Sequence, residues 1–325
     1  MQKTAACCTP SRSRTTAGPR DASAAAVPAA TAEAVTLAPD SDAIAGLTSL
    51  PGGSFRMGTD STEGFEADGE GPARVVRVDA FRVSPSAVTN REFNAFVRAT
   101  RYVTDADRCG SSFVFYLQVP EATRKAVRRL PTGLPWWLPV ADATWQRPEG
   151  PGSHILDRLD HPVVHVSWND AAAYCAWAGL RLPTEAQWEY AARGGLCGRR
   201  YPWGDDLGQD GSLHCNIWRG DFPHAVASGW FPGTVPARSN EPNGYGLYNL
   251  SGNVWEWCAD WFDPRYHLRT QADNPLGRSP TGRRSMRGGS FLCHDSYCNR
   301  YRVAARGSNT PESTSSNCGF RVAAS

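Results

Sequence analysis

Arg287-Gly288-Gly289-Ser290-Phe291-Leu292-Cys293-His294-Asp295-Ser296-Tyr297-Cys298-Asn299-Arg300-Tyr301-Arg302 sets two cysteines five positions apart, between a Gly-Gly pair and an alternating run. The spacing is neither that of a zinc knuckle nor that of a thioredoxin motif. In a loop it lets two sulfurs converge, on each other or on one soft metal ion. Three readings of Cys293 and Cys298 stay open on the residues alone. A disulfide would close a very short loop and remove little chain entropy. Buried thiols would act as small hydrophobes. A metal pair with no convergent His or carboxylate would suit Cu(I), a soft ion that accepts few ligands, better than zinc, which takes four. Neighbouring side chains point apart, so His294 is not expected to complete a set. Spacing alone favours the disulfide or the thiols.

Outward from this loop the chain reads as short elements joined by long connections. Ser285-Met286-Arg287 leads in as a strand, and Tyr301 to Ala305 and Gly319 to Ala323 follow as two more. Three helices are marked by their caps. Thr89-Asn90-Arg91-Glu92 has the capping-box pattern, with Phe93, Phe96 and Val97 on one face behind it. Ser167-Trp168-Asn169-Asp170 starts a second helix that Gly179 ends, and Thr184-Glu185-Ala186-Gln187 starts a third, stopped by Gly194-Gly195. Arg74 to Val83 alternates as a strand, after a glycine-punctuated one between Leu50 and Gly58. Residues 103–160 read as an irregular packed excursion around Pro135-Trp136-Trp137-Leu138-Pro139. From Tyr201 to Pro242, Gly, Pro, Asn and Asp dominate, and loops that long inside a domain need a cause, commonly a bound ion. No internal repeat is visible. The class is α+β, a single loop-rich domain of low regular secondary structure over residues 46–325.

Composition agrees. The 325 residues include 12 Trp, 31 Gly and 24 Pro, which suits irregular segments pinned by large aromatic anchors. A net charge of +2, with scattered Lys and Arg, gives no reason to expect nucleic acid or an anionic membrane as partner. No apolar run approaches the ~20 residues that span a bilayer. A soluble, cytoplasmic monomer is the expectation. Residues 1–45 are rich in Ala, Thr, Ser and Pro and read as a disordered leader, with a processed transit peptide as the alternative. The adjacent Cys7 and Cys8 within it read as incidental. Ten cysteines over this length are too sparse for a disulfide-stapled scaffold.

A second stretch offers chemistry. In Asn243-Gly244-Tyr245-Gly246-Leu247-Tyr248-Asn249-Leu250-Ser251-Gly252-Asn253-Val254-Trp255-Glu256-Trp257, Asn249 and Glu256 with the carbonyls of Gly252 and Val254 form an all-oxygen set of the kind calcium prefers. A turn whose polar side chains only satisfy their own backbone fits equally well. Asn216-Ile217-Trp218 is a weaker candidate of the same kind.

The cysteine loop resembles the active-site segment of the formylglycine-generating enzymes, the sulfatase-modifying factors. The likeness extends to His165-Val166-Ser167-Trp168-Asn169-Asp170-Ala171, Arg181-Leu182-Pro183-Thr184-Glu185-Ala186, Trp188-Glu189-Tyr190, Asn216-Ile217-Trp218, Asn243 to Asn249, Gly252-Asn253, Trp255-Glu256-Trp257, Asn309-Thr310-Pro311 and Gly319-Phe320-Arg321. It runs from about Leu50 to the C-terminus. Most of these motifs are shared across a broad superfamily that includes proteins without the activity; the paired cysteines mark the generating enzymes.

The resemblance implies a compact fold related to C-type-lectin-like domains, with bound calcium. It implies an oxidase that converts the cysteine of a sulfatase Cys-x-Pro-x-Arg motif to Cα-formylglycine, acting on an unfolded or nascent polypeptide with O2 and a thiol reductant. Carried over residue by residue, Cys293 and Cys298 hold Cu(I), with the substrate thiolate as a third sulfur. Ser290 and Asn317 orient oxygen or water, Trp255 walls the copper and Tyr297 lies beside it; packing or turn roles compete for each. Calcium ligands carry over to Asn249, Gly252, Val254 and Glu256, and at a second site to Asn216 and Ile217. Trp230 would give that second site a backbone oxygen, but the loop from His224 to Gly233 lacks the family's carboxylate. The disulfides of animal relatives have Cys175 here, but Ala192, Val303 and Val322 at the other positions, which fits a reducing compartment. Only a Cys175–Cys318 bridge remains as a candidate, and none is expected. Two rival readings are a non-catalytic binding or scaffold protein of the same fold, and a related iron-dependent sulfoxide synthase. The latter would need a His-rich ligand set or an added helical domain, and neither is present.

Overall fold

The computed structural model describes residues 10–12, 46–127, 130–131, 133–209 and 212–325. The body opens with β1 (Thr48–Leu50) and β2 (Gly53–Met57), separated by Gly52 at a φ of 68°. A Cβ on Gly52 would lie 2.5 Å from the backbone of Asp79, so this turn admits only glycine. β2 pairs antiparallel with β3 (Arg74–Val78), whereas β1 pairs with β4 (Phe81–Val83). The single strand expected from Arg74 to Val83 is therefore two. The chain changes partners at Asp79-Ala80, where Asn274 Oδ1 accepts the Asp79 N–H at 2.9 Å and holds the corner.

The three expected helices form where their caps place them. Thr89 accepts from the Glu92 N–H while the Glu92 carboxylate takes the Thr89 N–H, opening α1 (Asn90–Thr100). Beyond it, α2 (Asp105–Cys109), β5 (Ser111–Phe115), α3 (Glu121–Ala126) and β6 (Trp137–Ala141) give the 103–160 excursion regular structure that the sequence reading missed. β5 and β6 form a hairpin in which Val114 meets Leu138 and Pro139 stands opposite Phe113. Pro139, which read as a loop marker, is tolerated because β6 pairs only with β5 and lies at the edge of the ladder. Ser167 caps α4 (Trp168–Trp177), with Gly179 in the left-handed region just past its end. Thr184 caps α5 (Glu185–Arg193), and Gly194 terminates it at a φ of 55°.

A four-stranded sheet carries the C-terminal half. Its order is β9-β8-β7-β10, from β7 (Trp255–Trp261), β8 (Arg284–Arg287), β9 (Gly307–Asn309) and β10 (Cys318–Gly319). β7 and β10 run parallel. β11 (Ala323–Ala324) returns to pair with β4, closing a three-stranded sheet with β1. Between β10 and β11 the Phe320 and Val322 carbonyls accept from Val88 and Ser84 N–H, each at 2.9 Å. The continuous strand expected from Gly319 to Ala323 is thus interrupted.

Tyr301 to Ala305 is not a strand either. Arg287 reaches into this segment and donates to the carbonyls of Val303, Ala304 and Ala305 at 3.3, 3.2 and 2.9 Å, taking acceptors a ladder would need. It belongs to a set of buried arginines. Arg306 pairs with Glu185 at 2.7 Å, Arg302 with Glu70 at 2.6 Å, Arg321 with Glu256 at 2.5 Å and Arg300 with Asp68 at 2.5 Å. Arg287 itself pairs with Glu189. Buried charges persist only when paired, so this network fixes which loops meet.

The expectation of a disordered leader falls almost wholly outside the described residues. Pro10, Ser11 and Arg12 depart from it: Pro10 is buried, and its carbonyl accepts from Asn309 Nδ2 at 3.1 Å.

Candidate functional site

The cysteine loop leaves β8 through Gly288 and Gly289, at φ values of 91° and 70°. A Cβ on Gly289 would sit 2.8 Å from the Arg300 carbonyl and 3.1 Å from Cys293 Sγ, so the bare glycine lets the two ends of the loop close. Two turns follow. The Cys293 N–H donates to the Ser290 carbonyl at 2.9 Å, and the Cys298 N–H donates to the His294 carbonyl at 2.7 Å. Together they bring Cys298 Sγ to 3.4 Å from Cys293 Sγ, with both residues at most 1 % exposed. A disulfide holds its sulfurs at about 2.05 Å, so the pair is juxtaposed and not bonded.

Around the pair, Ser290 N–H donates to Cys293 Sγ at 3.4 Å. Ser290 Oγ accepts from Asn317 Nδ2 at 3.0 Å, and Asn317 Oδ1 in turn accepts from Ser315 Oγ at 2.8 Å. The Asn317 carbonyl takes the Trp255 N–H at 2.8 Å, which ties β7 to the same cluster. Cys293, Cys298, Ser290, Asn317 and Trp255 therefore form one connected centre. Tyr297 rides on the loop, and its ring stacks on Phe222 and meets Trp136 edge-on, both with centroids 5.1 Å away. Those two rings, with Phe115 and Trp218, make an aromatic wall that sequence reasoning did not assign. Their signal was the density of Trp and Phe in the two loop regions. The anchoring arginines were also missed, although Arg287, Arg300 and Arg302 flank the cysteines in sequence. A cleft of about 490 Å³ opens beyond His294, lined by Trp218, Trp230, Asp295 and Tyr301.

The carboxylate named for calcium has protein partners. The Glu256 carboxylate accepts from Arg321 at 2.5 and 2.8 Å and from Trp188 Nε1 at 2.6 Å. Asn249 Oδ1 accepts from Asn240 Nδ2 at 3.0 Å. Glu256 is thus paired with Arg321, while the carbonyls of Gly252 and Val254 and the Asn249 amide supply oxygens of the kind calcium accepts. At the second position, Asn216 Nδ2 donates to the Gly233 carbonyl at 2.8 Å and to Asn253 Oδ1 at 3.2 Å. Ile217 is buried in the core beside the cysteines, and the Trp230 ring packs edge-on against Trp218. Side-chain amides thus join the loops for which an ion was expected: Asn253 also takes the Val235 N–H, and Asn243 donates to the Ala191 carbonyl.

Cys175 and Cys318 are separate thiols. Burial pushes the Cys175 thiol up to about 12 and raises Cys318 as well. Near the other face of the Ser315–Asn317 turn, His165 Nδ1 lies 2.8 Å from Ser112 Oγ, and burial lowers this imidazole to about 3.

Against known proteins, the family model described as the sulfatase-modifying factor enzyme 1-like domain matches residues 33–325. A formylglycine-generating enzyme of Streptomyces coelicolor is 57 % identical over 281 residues, covering 86 % of this chain and 88 % of its own. A Bos taurus protein named inactive C-alpha-formylglycine-generating enzyme 2 is 46 % identical, covering 85 % and 87 %. The solved structure of PvdO from Pseudomonas aeruginosa superposes with a TM-score of 0.59 at 26 % identity, over 86 % of this chain and 93 % of that one. Because relatives include a protein named inactive, kinship does not settle activity; the residues at the centre must. With its α+β, loop-rich body and this match over most of its length, the chain belongs to the sulfatase-modifying factor enzyme 1-like family.

Proposed function

We propose that this chain oxidises a cysteine within a Cys-x-Pro-x-Arg motif of an unfolded sulfatase polypeptide to Cα-formylglycine. The observation that carries the reading is the pair of buried sulfurs 3.4 Å apart. Two thiolates in an apolar setting suit one soft, low-coordinate ion. Among the described residues no three His, Cys, Asp or Glu side chains converge, which does not suit a four-coordinate zinc site. Cu(I) held by Cys293 and Cys298 would supply the one-electron and O2 chemistry that no side chain provides.

The chain's own residues supply placement. Gly288 and Gly289 let the loop close, and Arg287, Arg300 and Arg302 lock its two ends through buried carboxylates. Ser290 and Asn317 present a hydroxyl and an amide already aligned with each other, where a water or a proton in transit can be held. Trp255 and the core around the cysteines exclude bulk water. Tyr297 and the rings it packs against offer an apolar, stacking surface to an extended peptide. The net change is balanced by one O2 with two electrons and two protons from an external thiol. The substrate Cβ–S bond and one Cβ–H bond break, C=O forms at that carbon, and hydrogen sulfide and water leave.

The full chain incubated with Cu(I), O2, a thiol and a synthetic Cys-x-Pro-x-Arg peptide should yield a product that has lost the mass of hydrogen sulfide and gained that of one oxygen. It should react with an aldehyde-selective hydrazide. A peptide of unchanged mass would refute the assignment and leave the rival reading, a non-catalytic binding module.

A further inference from the structure

Three residues close to the N-terminus are built into the body of the protein. Pro10 is buried, and its carbonyl accepts from Asn309 Nδ2 at 3.1 Å. Arg283 donates to Ser11 Oγ at 3.1 Å. The Arg12 N–H donates to Ser313 Oγ at 3.0 Å, across 301 positions of sequence. The Arg12 guanidinium donates to the Ser111 carbonyl and, at 3.2 Å, to Thr314 Oγ1. That hydroxyl is itself positioned: Ser112 Oγ donates to it at 2.7 Å and rests on His165. The receptor is thus a groove with a buried seat for a proline ring and a cradle of hydroxyls and a carbonyl for a guanidinium.

One segment connects this seat to the cysteines. The segment that holds Pro10 and Arg12, from Asn309 to Thr314, continues to Asn317, which donates to Ser290 beside Cys293. From Asn309, β9 runs back to Gly307, whose Cα faces the Trp255 indole so closely that a Cβ would stand 2.8 Å from it. The segment that seats Pro10 and Arg12 is thus the same one that supplies Asn317 to the cluster around the cysteines.

Two residues before Pro10 is Cys8, one of the pair read above as incidental; it lies outside the described residues. Cys8-Thr9-Pro10-Ser11-Arg12 has the Cys-x-Pro-x-Arg spacing of the proposed substrate, and the spacing occurs nowhere else in the 325 residues. Within residues 1–45, the described positions are Pro10, Ser11 and Arg12, the last three of that motif. We propose that Cys8–Arg12 is a substrate in cis: it docks through Pro10 and Arg12 in the groove of its own chain and presents Cys8 to the Cys293–Cys298 pair for conversion to formylglycine.

Geometry and concentration both allow it. From Pro10 to Cys8 the chain reaches at most about 7 Å, and the 33 residues from 13 to 45 can extend to about 110 Å. A body of this size has a radius of gyration of about 19 Å, which a tether of that contour length can span. A tethered ligand sees its own site at an effective concentration near the millimolar range, which an added peptide must match. The step has the balance given above: Cys8 Cβ–S becomes C=O, with O2 and two electrons from an external thiol consumed and hydrogen sulfide and water released.

This inference rests on the proposed activity, and the test separates the two. The full chain is incubated with Cu(I), O2, thiol and a synthetic Cys-x-Pro-x-Arg peptide, then digested with trypsin, which cuts after Lys3 and Arg12. The Thr4–Arg12 fragment should carry an aldehyde at Cys8, formed at a rate per chain that does not change on dilution. Added peptide converted while Cys8 keeps its thiol mass overturns the inference alone; neither converted overturns the activity with it. A second readout does not depend on Cys8. Arg12→Ala should lower the apparent KM of the added peptide roughly tenfold or more with kcat kept, because the competitor has left the groove. An unchanged KM contradicts occupancy in cis.

Discussion

Replacing Arg287 with methionine keeps an unbranched apolar stem and removes the guanidinium with its charge. The site is wholly buried, and its guanidinium serves Glu189 and three carbonyls of the segment that follows the cysteines. Glu189 retains Arg193 at 2.6 Å and the Gly58 N–H at 2.7 Å, so it is not left bare, but three carbonyls lose their donor. Breaking a buried pair of this kind costs about 3–5 kcal/mol. With an unfolding entropy of about 2.1 cal/mol/K per residue over about 280 residues, 1 kcal/mol moves Tm by a little under 2 °C. Arg287→Met should therefore melt about 5–8 °C lower in scanning calorimetry. The control is Arg91→Ala. Arg91 pairs with Asp160 at 3.0 Å, but the two side chains are 62 % and 74 % exposed, and a pair in water is worth at most about 1 kcal/mol. Its Tm should fall by less than about 2 °C. Equal shifts in the two variants would refute the claim that burial gives the arginine network its weight.

Other expectations follow from the same contacts. Burial would raise Glu185, but the Arg306 guanidinium, with Arg287 and Ser285, holds its carboxyl below the ordinary range. A depressed carboxyl contributes fully above its unfolded value near 4.3 and loses that contribution as pH falls through its folded value of about 2, so Tm should drop between about pH 5 and pH 2. Asp68 and Asp260, raised by burial, act with the opposite sign, and Glu185→Gln should flatten the drop; an unaltered pH profile in that variant would contradict the assignment. In iodoacetamide labelling of the native protein, exposed Cys109 and Cys197 should react while Cys175, Cys215, Cys258 and Cys318, buried and raised in pKa, should not. Labelling of Cys175 before the exposed pair would count against the packing described. Ser290→Ala removes the acceptor of Asn317 Nδ2 beside Cys293 and should lower copper affinity or kcat by about tenfold to a hundredfold, with Tm lower by no more than about 5 °C. Full activity in that variant would assign Ser290 to packing alone.

Local signals in the sequence were accurate, and long-range ones were not. Thr89, Ser167 and Thr184 start helices because a cap depends on neighbours three residues away. The cysteine loop was legible because its glycines and sulfurs lie within a dozen positions. Tyr301 to Ala305 has a strand's alternation, yet Arg287 takes its carbonyls, and that contact depends on the whole sheet. Arg306 and Glu185 stand 121 positions apart, and Arg300 and Asp68 232 apart; no window of sequence shows such pairs. Glu256 likewise was read with Asn249 and Gly252, which are near it in sequence, while its partner Arg321, 65 positions away, was not legible. Cys8 was passed over for another reason: the leader was read from its composition, and composition carries no information about a five-residue motif.

The central claim is that Cys293 and Cys298 together are the reaction centre, and the most direct test compares Cys293→Ser, Cys298→Ser and the unaltered chain on one Cys-x-Pro-x-Arg peptide with Cu(I), O2 and thiol. Copper binding by the three proteins is measured alongside. The account predicts that each serine variant keeps its fold, loses tight copper binding and leaves the peptide mass unchanged, while the unaltered chain converts it. Copper-stimulated conversion by either variant would contradict the account.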